Sequence, residues 1–509
     1  MNLRDPRAPR LKLSGEPLYL LVLTALWILS AAAASHLTLQ IYQNFRGVAC
    51  DTAASQNAIV NILNGHWFRC TAYCGPHILG IHSHFIFVLL AAIYALIPST
   101  DFFYILQNVG ALSVVFPVYF VAKEILKNPF TACLIAIAAL LNPMLANLCI
   151  IPLHPEPWIL PALFWAYYFY LKNRPLAFWL CFLFSVCCGE LAAITYAALG
   201  VAWLLSPRRF PWTRRYGWFA LVGGLGWIAF TMGWLMPTFR TAEQFNNFGS
   251  KYSEIGASSP LQLFQVMLSN PKLVLGKLLD VSRWVRALDT VGPALLLIFA
   301  SWESALLLLP VPLFWLMNNN ELFIQIHAYY FQFVFLAAHL GLIAFLRRWD
   351  FSTRIGKGIL IAVLCLNGVF LVYEYTLMKA RYHGDGEEQA NTELRREFAR
   401  IPVEAGVYAP HRHSGYLSNR VNMVMGDLQQ DHLDFDQMIA ARQAETTVRP
   451  DQIDYIVVDQ IADQCGPRKT LFKQEITQKR HANIQKLVDS GRWQIIYNQE
   501  YVVILQRRR

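Results

Sequence analysis

The sequence predicts an α-helical polytopic membrane protein with a small C-terminal α/β domain. Only 15% of its 509 residues are charged while 55% are hydrophobic, against about 25% charged in an ordinary soluble domain. The apolar residues gather into runs of about 15 to 25, the length a helix needs to cross a bilayer core. Beyond residue 379 the pattern changes to short β-branched and aromatic runs. Together these features exclude a soluble single-core enzyme, a nucleic-acid module, a fibrous protein and a disordered chain.

The first span is expected at 17–40. Arg4, Arg7, Arg10 and Lys12 precede the run Leu18–Ala34, and no small-residue cleavage site follows, so this helix is retained with its N-terminus in the cytoplasm. Later basic clusters, at Lys123/Lys127, Lys172/Arg174, Arg208/Arg209/Arg214/Arg215 and Arg347/Arg348/Arg354/Lys357, also belong on the cytoplasmic side. That requirement decides the status of Phe85–Pro98. If this stretch crossed the membrane, every later cluster would fall outside, so it is expected as a re-entrant or interfacial helix.

The remaining spans are then 102–122, 129–151, 156–171, 175–190, 191–206, 216–236, 285–301, 303–318, 322–346 and 357–378, about eleven crossings in all. This topology divides the chain into a transmembrane domain, 1–379, with outer loops 41–84 and 237–284, and an outer, periplasmic domain, 380–509. The protein is placed in a bacterial inner membrane. Net charge is +10, but from Ala380 onward 18 Lys+Arg balance 18 Asp+Glu. The excess therefore lies in the membrane part and reports orientation, not a nucleic-acid partner.

In the tail, Gly406–Ala409, Ile453–Val458, Trp493–Tyr497 and Tyr501–Leu505 read as strands and Leu471–Val488 as a helix. No GxGxxG or phosphate-loop pattern accompanies them, so no nucleotide site is assigned. Of the ten cysteines, Cys50, Cys70 and Cys74 share the first outer loop, where one disulfide of undetermined pairing is expected. Oxidation of these thiols is expected in preference to zinc binding with His66.

Polar groups capable of chemistry converge on the outer face. Asp51 opens Asp51–Trp67, whose Ile59, Ile62, Leu63 and Trp67 stand opposite Ser55, Gln56, Asn57 and Asn61. This pattern predicts an amphipathic helix on the outer membrane surface. Asp51 is either its N-cap or a carboxylate at a cavity rim that takes a proton from an acceptor. His82 and His84 precede the re-entrant segment and suit an anion or a sugar hydroxyl.

The turn Pro152–Leu153–His154–Pro155–Glu156–Pro157–Trp158 fixes an imidazole and a carboxylate between prolines. Glu190 lies in an apolar stretch, where an ionisable side chain points to function. His327 and Tyr330 begin the span 322–346 on the same side. Arg240 and Arg283 place positive charge in the outer loop 237–284, and Arg286 adds to it at the start of the next span, suited to phosphate.

The order of these features resembles a family of predicted bacterial membrane proteins known only as a domain of unknown function. The features are an acidic first outer loop, Ser83–His84–Phe85, His154–Pro155–Glu156, Glu190 after a small residue, a late His327 and an α/β tail. That family in turn resembles the C-type glycosyltransferases (the GT-C fold), which take a sugar from a polyprenyl-phosphate or polyprenyl-diphosphate carrier.

The resemblance implies an enzyme transferring a sugar from a polyprenyl-linked donor in the lipid bilayer to an unidentified acceptor. Asp51 would be the base, with His82, His84, His154, Glu156, Glu190, His327, Tyr330, Arg240, Arg283 and Arg286 binding substrate. Where family members carry Lys-Glu-Asp, this chain has Gly189–Glu190–Leu191, and no second aspartate pairs with Asp51. No cofactor is expected, and a divalent metal is not implied. A transporter or flippase would share the intramembrane ionisable residues, but the chain shows no internal hydropathy repeat and no cytoplasmic gate to match the outer cluster.

Overall fold

The computed structural model describes residues 15–47, 49–72, 75–206, 210–240, 252, 255–257, 260–310, 332–349, 351–382, 388–426, 435–441, 446–459, 473–499 and 502–508. Among these, four helical stretches are long and apolar enough to cross a bilayer: Glu16–Gln43 (α1), Thr100–Leu126, Thr213–Phe239 and Arg354–Leu377. Thr100–Leu126 combines α4 (Thr100–Leu112) and α5 (Val115–Leu126), and Ser99 caps it by accepting from the Phe102 amide.

The expected span 129–151 is bent by 47° between α6 (Pro129–Leu140) and α7 (Pro143–Ile150). Asn142 accounts for the break. Its side chain caps α7 by accepting from the Met144 amide, and Pro143 cannot continue α6.

The next three apolar elements are α8 (Ile159–Leu171), α9 (Pro175–Cys188) and α10 (Leu191–Leu205), of 13, 14 and 15 residues. At 1.5 Å per residue each falls short of the roughly 30 Å hydrocarbon core. Helix α8 is almost wholly buried, so its neighbours in this part of the fold are protein. Within Phe85–Pro98, only Phe87–Leu96 (α3) is helical. The Ile86 amide donates to the Cys187 carbonyl at 3.0 Å, pinning its entrance against the end of α9.

Two expectations are corrected here. Residues 285–301 are not one span: an amphipathic helix, Val281–Val291, ends at Gly292, and a 3-10 segment, Pro293–Ala300, follows. Gly292 has φ +80°, and the next residue is proline, so the helix cannot pass through.

Nor does the segment after Asp51 lie on the membrane surface. The helix Ala49–Leu63 (α2) is buried from Thr52 through Ile62. Its polar face docks the C-terminal domain: Asn57 Nδ2 donates to Arg420 O at 2.7 Å, Asn61 Nδ2 to Val421 O at 3.2 Å, and Ser418 Oγ to Gln56 Oε1 at 2.8 Å. Buried amides need partners, and the domain supplies them as backbone carbonyls. The pattern that reads as a water-facing stripe is an interface.

The tail forms a five-stranded sheet, β1 (Val407–Ala409), β2 (Met423–Met425), β3 (Tyr455–Asp459), β4 (Trp493–Gln499) and β5 (Val502–Arg507), in the order β2-β1-β3-β5-β4. Strands β1, β2 and β3 run parallel, and β5 is antiparallel to both β3 and β4. All five residues of β3 are buried, as a central strand between two neighbours requires. The helix Lys473–Asp489 precedes β4. The Met425 amide donates to Ala72 O, joining the sheet edge to the segment that follows α2.

Cys50 and Cys70 are not bonded to each other, and Cys74 lies outside the described residues. Cys70 is buried with its Sγ toward Ala54 O, while His66 is exposed, so these two do not form a metal site together.

Candidate functional site

Three segments supply the site. The first turn of α2 carries Asp51. The stretch before α3 carries His82, Ser83 and His84, and the proline-rich turn between α7 and α8 carries His154 and Glu156. Leu153 and His154 are held by their backbones. The Leu153 amide donates to Thr52 Oγ1 at 3.1 Å, and the His154 amide to Gln107 Oε1 at 2.8 Å. Trp158 closes the turn against α4, with its indole N–H directed at the Gln107 carbonyl at 3.3 Å. Gly110 makes room for that ring, since a Cβ there would sit 2.4 Å from Trp158 Cδ1.

The Glu156 carboxylate is buried and accepts from two imidazoles. His84 Nε2 lies 3.0 Å from Oε1 and His154 Nδ1 lies 3.0 Å from Oε2. The other nitrogen of His154 is 3.4 Å from Asp51 Oδ2. A continuous chain of charged and polar contacts thus runs Asp51, His154, Glu156, His84. Its inner three members are at most 5% exposed, whereas the Asp51 side chain is 28% exposed.

A second pair lies beside it. His82 Nδ1 is 3.0 Å from Glu190 Oε1, and the Ser83 amide donates to Glu190 Oε2 at 3.2 Å. The rings of His82 and His84 stack with centroids 4.7 Å apart. Gly189 approaches Glu156 closely, so a Cβ there would lie 3.2 Å from Glu156 Cγ.

The imidazoles differ in charge for physical reasons. Burial pushes His84 below its usual pKa, and Glu156 does not fully offset it. For His82 the burial penalty is outweighed by Glu190, which holds the ring above its usual value. For His154, burial pulls down but Glu156 and Asp51 together carry the pKa up to about 10. His154 is therefore an imidazolium at neutral pH.

A histidine protonated more readily in the folded than the unfolded chain stabilises the fold most at low pH. That contribution is full below about pH 6.5, declines as pH climbs, and is gone above about 10. The expected result is a wild-type Tm that falls between pH 7 and 10 more steeply than that of His154→Gln. Parallel Tm-against-pH curves for the two proteins would remove the charge from His154.

Other expected site residues distribute as follows. Arg240 follows the helix Met236–Phe239; its Nε donates to Gly80 O at 3.0 Å, and Glu190 acts on it electrostatically. It therefore belongs to the rim of the cluster. Arg283 is buried and paired at 3.4 Å with Asp280, the N-cap of its helix. The side chain of Arg286, and all of His327 and Tyr330, lie outside the described residues.

Sequence reasoning missed Gln107, Thr52, Tyr104 and Gln332. Gln332 Nε2 donates to the Glu156 carbonyl at 2.5 Å. Gln107 had left a signal, an amide amid an apolar span.

A shallow cleft opens between α1 and the helix His411–Leu417, lined by Tyr42, Tyr104, Pro152, Arg412 and Tyr416 among others. Tyr104 ties it to the acid. Its hydroxyl is 2.6 Å from Thr52 Oγ1, the residue after Asp51.

His82, His84 and Glu156 each offer one donor atom, and the three lie within 4.8 Å of one another, a spacing that could hold a metal ion. Overall the arrangement can accept a proton at Asp51, hold positive charge at His154, and place His82 and Arg240 near an anion.

The fold is shared with ArnT from Cupriavidus metallidurans. The crystal structure of ArnT bound to undecaprenyl phosphate is 12% identical and aligns with a TM-score of 0.53 over 95% of this chain and 97% of ArnT. The apo state aligns with a TM-score of 0.50 at 13% identity over the same shares. A third structure is the archaeal oligosaccharyltransferase AglB from Archaeoglobus fulgidus with an inhibitory peptide and a dolichol-phosphate. It gives a TM-score of 0.46 at 12% identity over 93% of this chain and 80% of AglB. No curated protein matches the sequence. The likeness is one of fold, and it is the C-type glycosyltransferase fold to which the sequence motifs point. Residues 42–504 match the family described as predicted membrane protein (DUF2079). That match takes in nearly the whole chain, from the end of the first span to the last strand, and the protein belongs to the DUF2079 family.

Proposed function

We propose that this protein is a membrane glycosyltransferase that moves a sugar from a polyprenyl-phosphate-type donor to an acceptor at the periplasmic face of the inner membrane. The observation that carries the reading is Asp51, a half-exposed carboxylate at the open end of an otherwise buried chain of imidazoles and carboxylates. It lies in a fold shared with a protein whose structure holds undecaprenyl phosphate. In the reaction, an acceptor hydroxyl or amine loses its proton to Asp51 as its oxygen or nitrogen bonds to the sugar's anomeric carbon. The bond from that carbon to the phosphate oxygen breaks, and the polyprenyl phosphate leaves with the electron pair.

The His154 imidazolium holds the Asp51 carboxylate in place. His82 and Arg240, on the other side of the cluster, stabilise the departing phosphate. The cleft walled by Tyr42, Tyr104 and Tyr416 has the aromatic faces on which a sugar ring packs. Tyr104 connects this cleft through Thr52 to the turn of α2 that carries Asp51, and Arg412 lies at its edge.

The test is to incubate the purified protein in nanodiscs with a panel of polyprenyl-phosphate sugars and candidate glycan acceptors, following donor loss by mass spectrometry. Consumption of one donor with release of polyprenyl phosphate is the expected result. Movement of intact donors between leaflets without consumption would replace the transferase with a flippase.

A further inference from the structure

We propose that His82, His84 and Glu156 form a zinc site with an open coordination position. One donor atom from each lies within 4.8 Å of the other two. The gap of 3.0 Å between His84 Nε2 and Glu156 Oε1 accepts an ion at about 2.0–2.2 Å from both with only a small outward shift. Two imidazoles and a carboxylate suit zinc; iron(II) accepts the same three donors, and its uptake in place of zinc would overturn the assignment. Magnesium and calcium favour all-oxygen sets, and thiolate-rich sites select softer metals.

Each of two ligands is oriented by a group that is not itself a ligand. Glu190 fixes the His82 ring through Nδ1 at 3.0 Å, and His154 holds Glu156 through its second oxygen at 3.0 Å. Ligands need this outer support to stay in place and keep their tautomers. Charge points the same way. Three carboxylates, Asp51, Glu156 and Glu190, face the His154 imidazolium and the Arg240 guanidinium, so with neutral His82 and His84 the cluster keeps negative charge for a further cation.

Three protein ligands leave a fourth position, as in catalytic and not structural zinc sites. A phosphate oxygen is the ligand that the neighbouring Arg240 would accompany there. This set is separate from His66, Cys70 and Cys74, and it contains no thiol.

The site is read from metal binding alone. Protein purified without chelator or histidine tag is placed in nanodiscs, and zinc is titrated against a chromophoric chelator, with X-ray absorption at the zinc edge. One zinc per chain is expected, with only nitrogen and oxygen neighbours at about 2.0–2.2 Å. His82→Ala and His84→Ala should weaken binding at least 100-fold and Glu190→Gln about 10- to 100-fold. Cys70→Ser should leave it unchanged. His82 is partly exposed, so His82→Ala tests the site even if His84→Ala fails to fold. Absence of zinc uptake by folded wild type, sulfur neighbours, or full affinity in folded His82→Ala would each overturn the assignment. Zinc bound by a protein that consumes no sugar donor would leave the metal site standing and remove the transferase reading. Donor turnover without zinc binding would do the reverse.

Discussion

Asp51→Asn is expected to lower sugar transfer by about 100- to 10,000-fold, the range by which a positioned general base accelerates a reaction. The amide keeps the shape of the side chain and can still accept from His154, but it cannot take up the acceptor's proton. The fold should barely register the change. Asp51 is partly exposed and its contact with His154 is long at 3.4 Å, and ion pairs reached by solvent contribute about 1 kcal/mol or less. The informative comparison is between kcat and donor binding. Loss of kcat with unchanged affinity for the polyprenyl-phosphate donor and unchanged Tm is the signature of a missing base. Wild-type kcat in a folded Asp51→Asn protein would take Asp51 out of the reaction and leave it as a partner of His154.

What the sequence disclosed, and what it hid, follows from how local each signal is. The membrane class, the α/β tail and strands near 407–409, 455–459, 493–499 and 502–507 are legible because burial writes a pattern into neighbouring residues. Strand β2, only Met423–Met425, is too short to do so. The polar stripe of α2 was visible but ambiguous. Asn57 and Asn61 look alike whether water or the carbonyls of Arg420 and Val421 satisfy them. That partner is some 360 residues away and leaves no local trace.

The break at Gly292–Pro293 was written in the sequence, yet the apolar run across it outweighed the two residues that stop a helix. In the site, His154 and Glu156 stood out because prolines frame them, and His82 and Glu190 because ionisable side chains interrupt apolar runs. Their pairing could not be read. That His154 bridges Asp51 to Glu156 depends on how α2 and the 152–158 turn pack.

Glu156→Ala is expected to destabilise the protein by about 3–5 kcal/mol, the cost of removing one partner from a buried charged pair. The carboxylate serves two rings at once, so its loss removes the nearer counter-charge of the His154 cation and leaves His84 Nε2 buried without its acceptor. The other His84 nitrogen is already buried with no hydrogen-bond partner, so only ring contacts, those with His82 and Phe87 among them, would remain. Glu156→Gln separates charge from shape. The amide fills the same space beside Gly189 and can accept from one ring through its oxygen, so it should cost less, about 1–3 kcal/mol. Thermal unfolding in nanodiscs, followed by tryptophan fluorescence, should therefore rank wild type above Glu156→Gln above Glu156→Ala. If the two substitutions lowered the Tm equally, lost charge would account for the whole effect and the contacts made by the carboxylate would add nothing. If neither lowered it, the chain from Asp51 to His84 would not be held by Glu156, and the imidazoles would have to be positioned by their backbones alone.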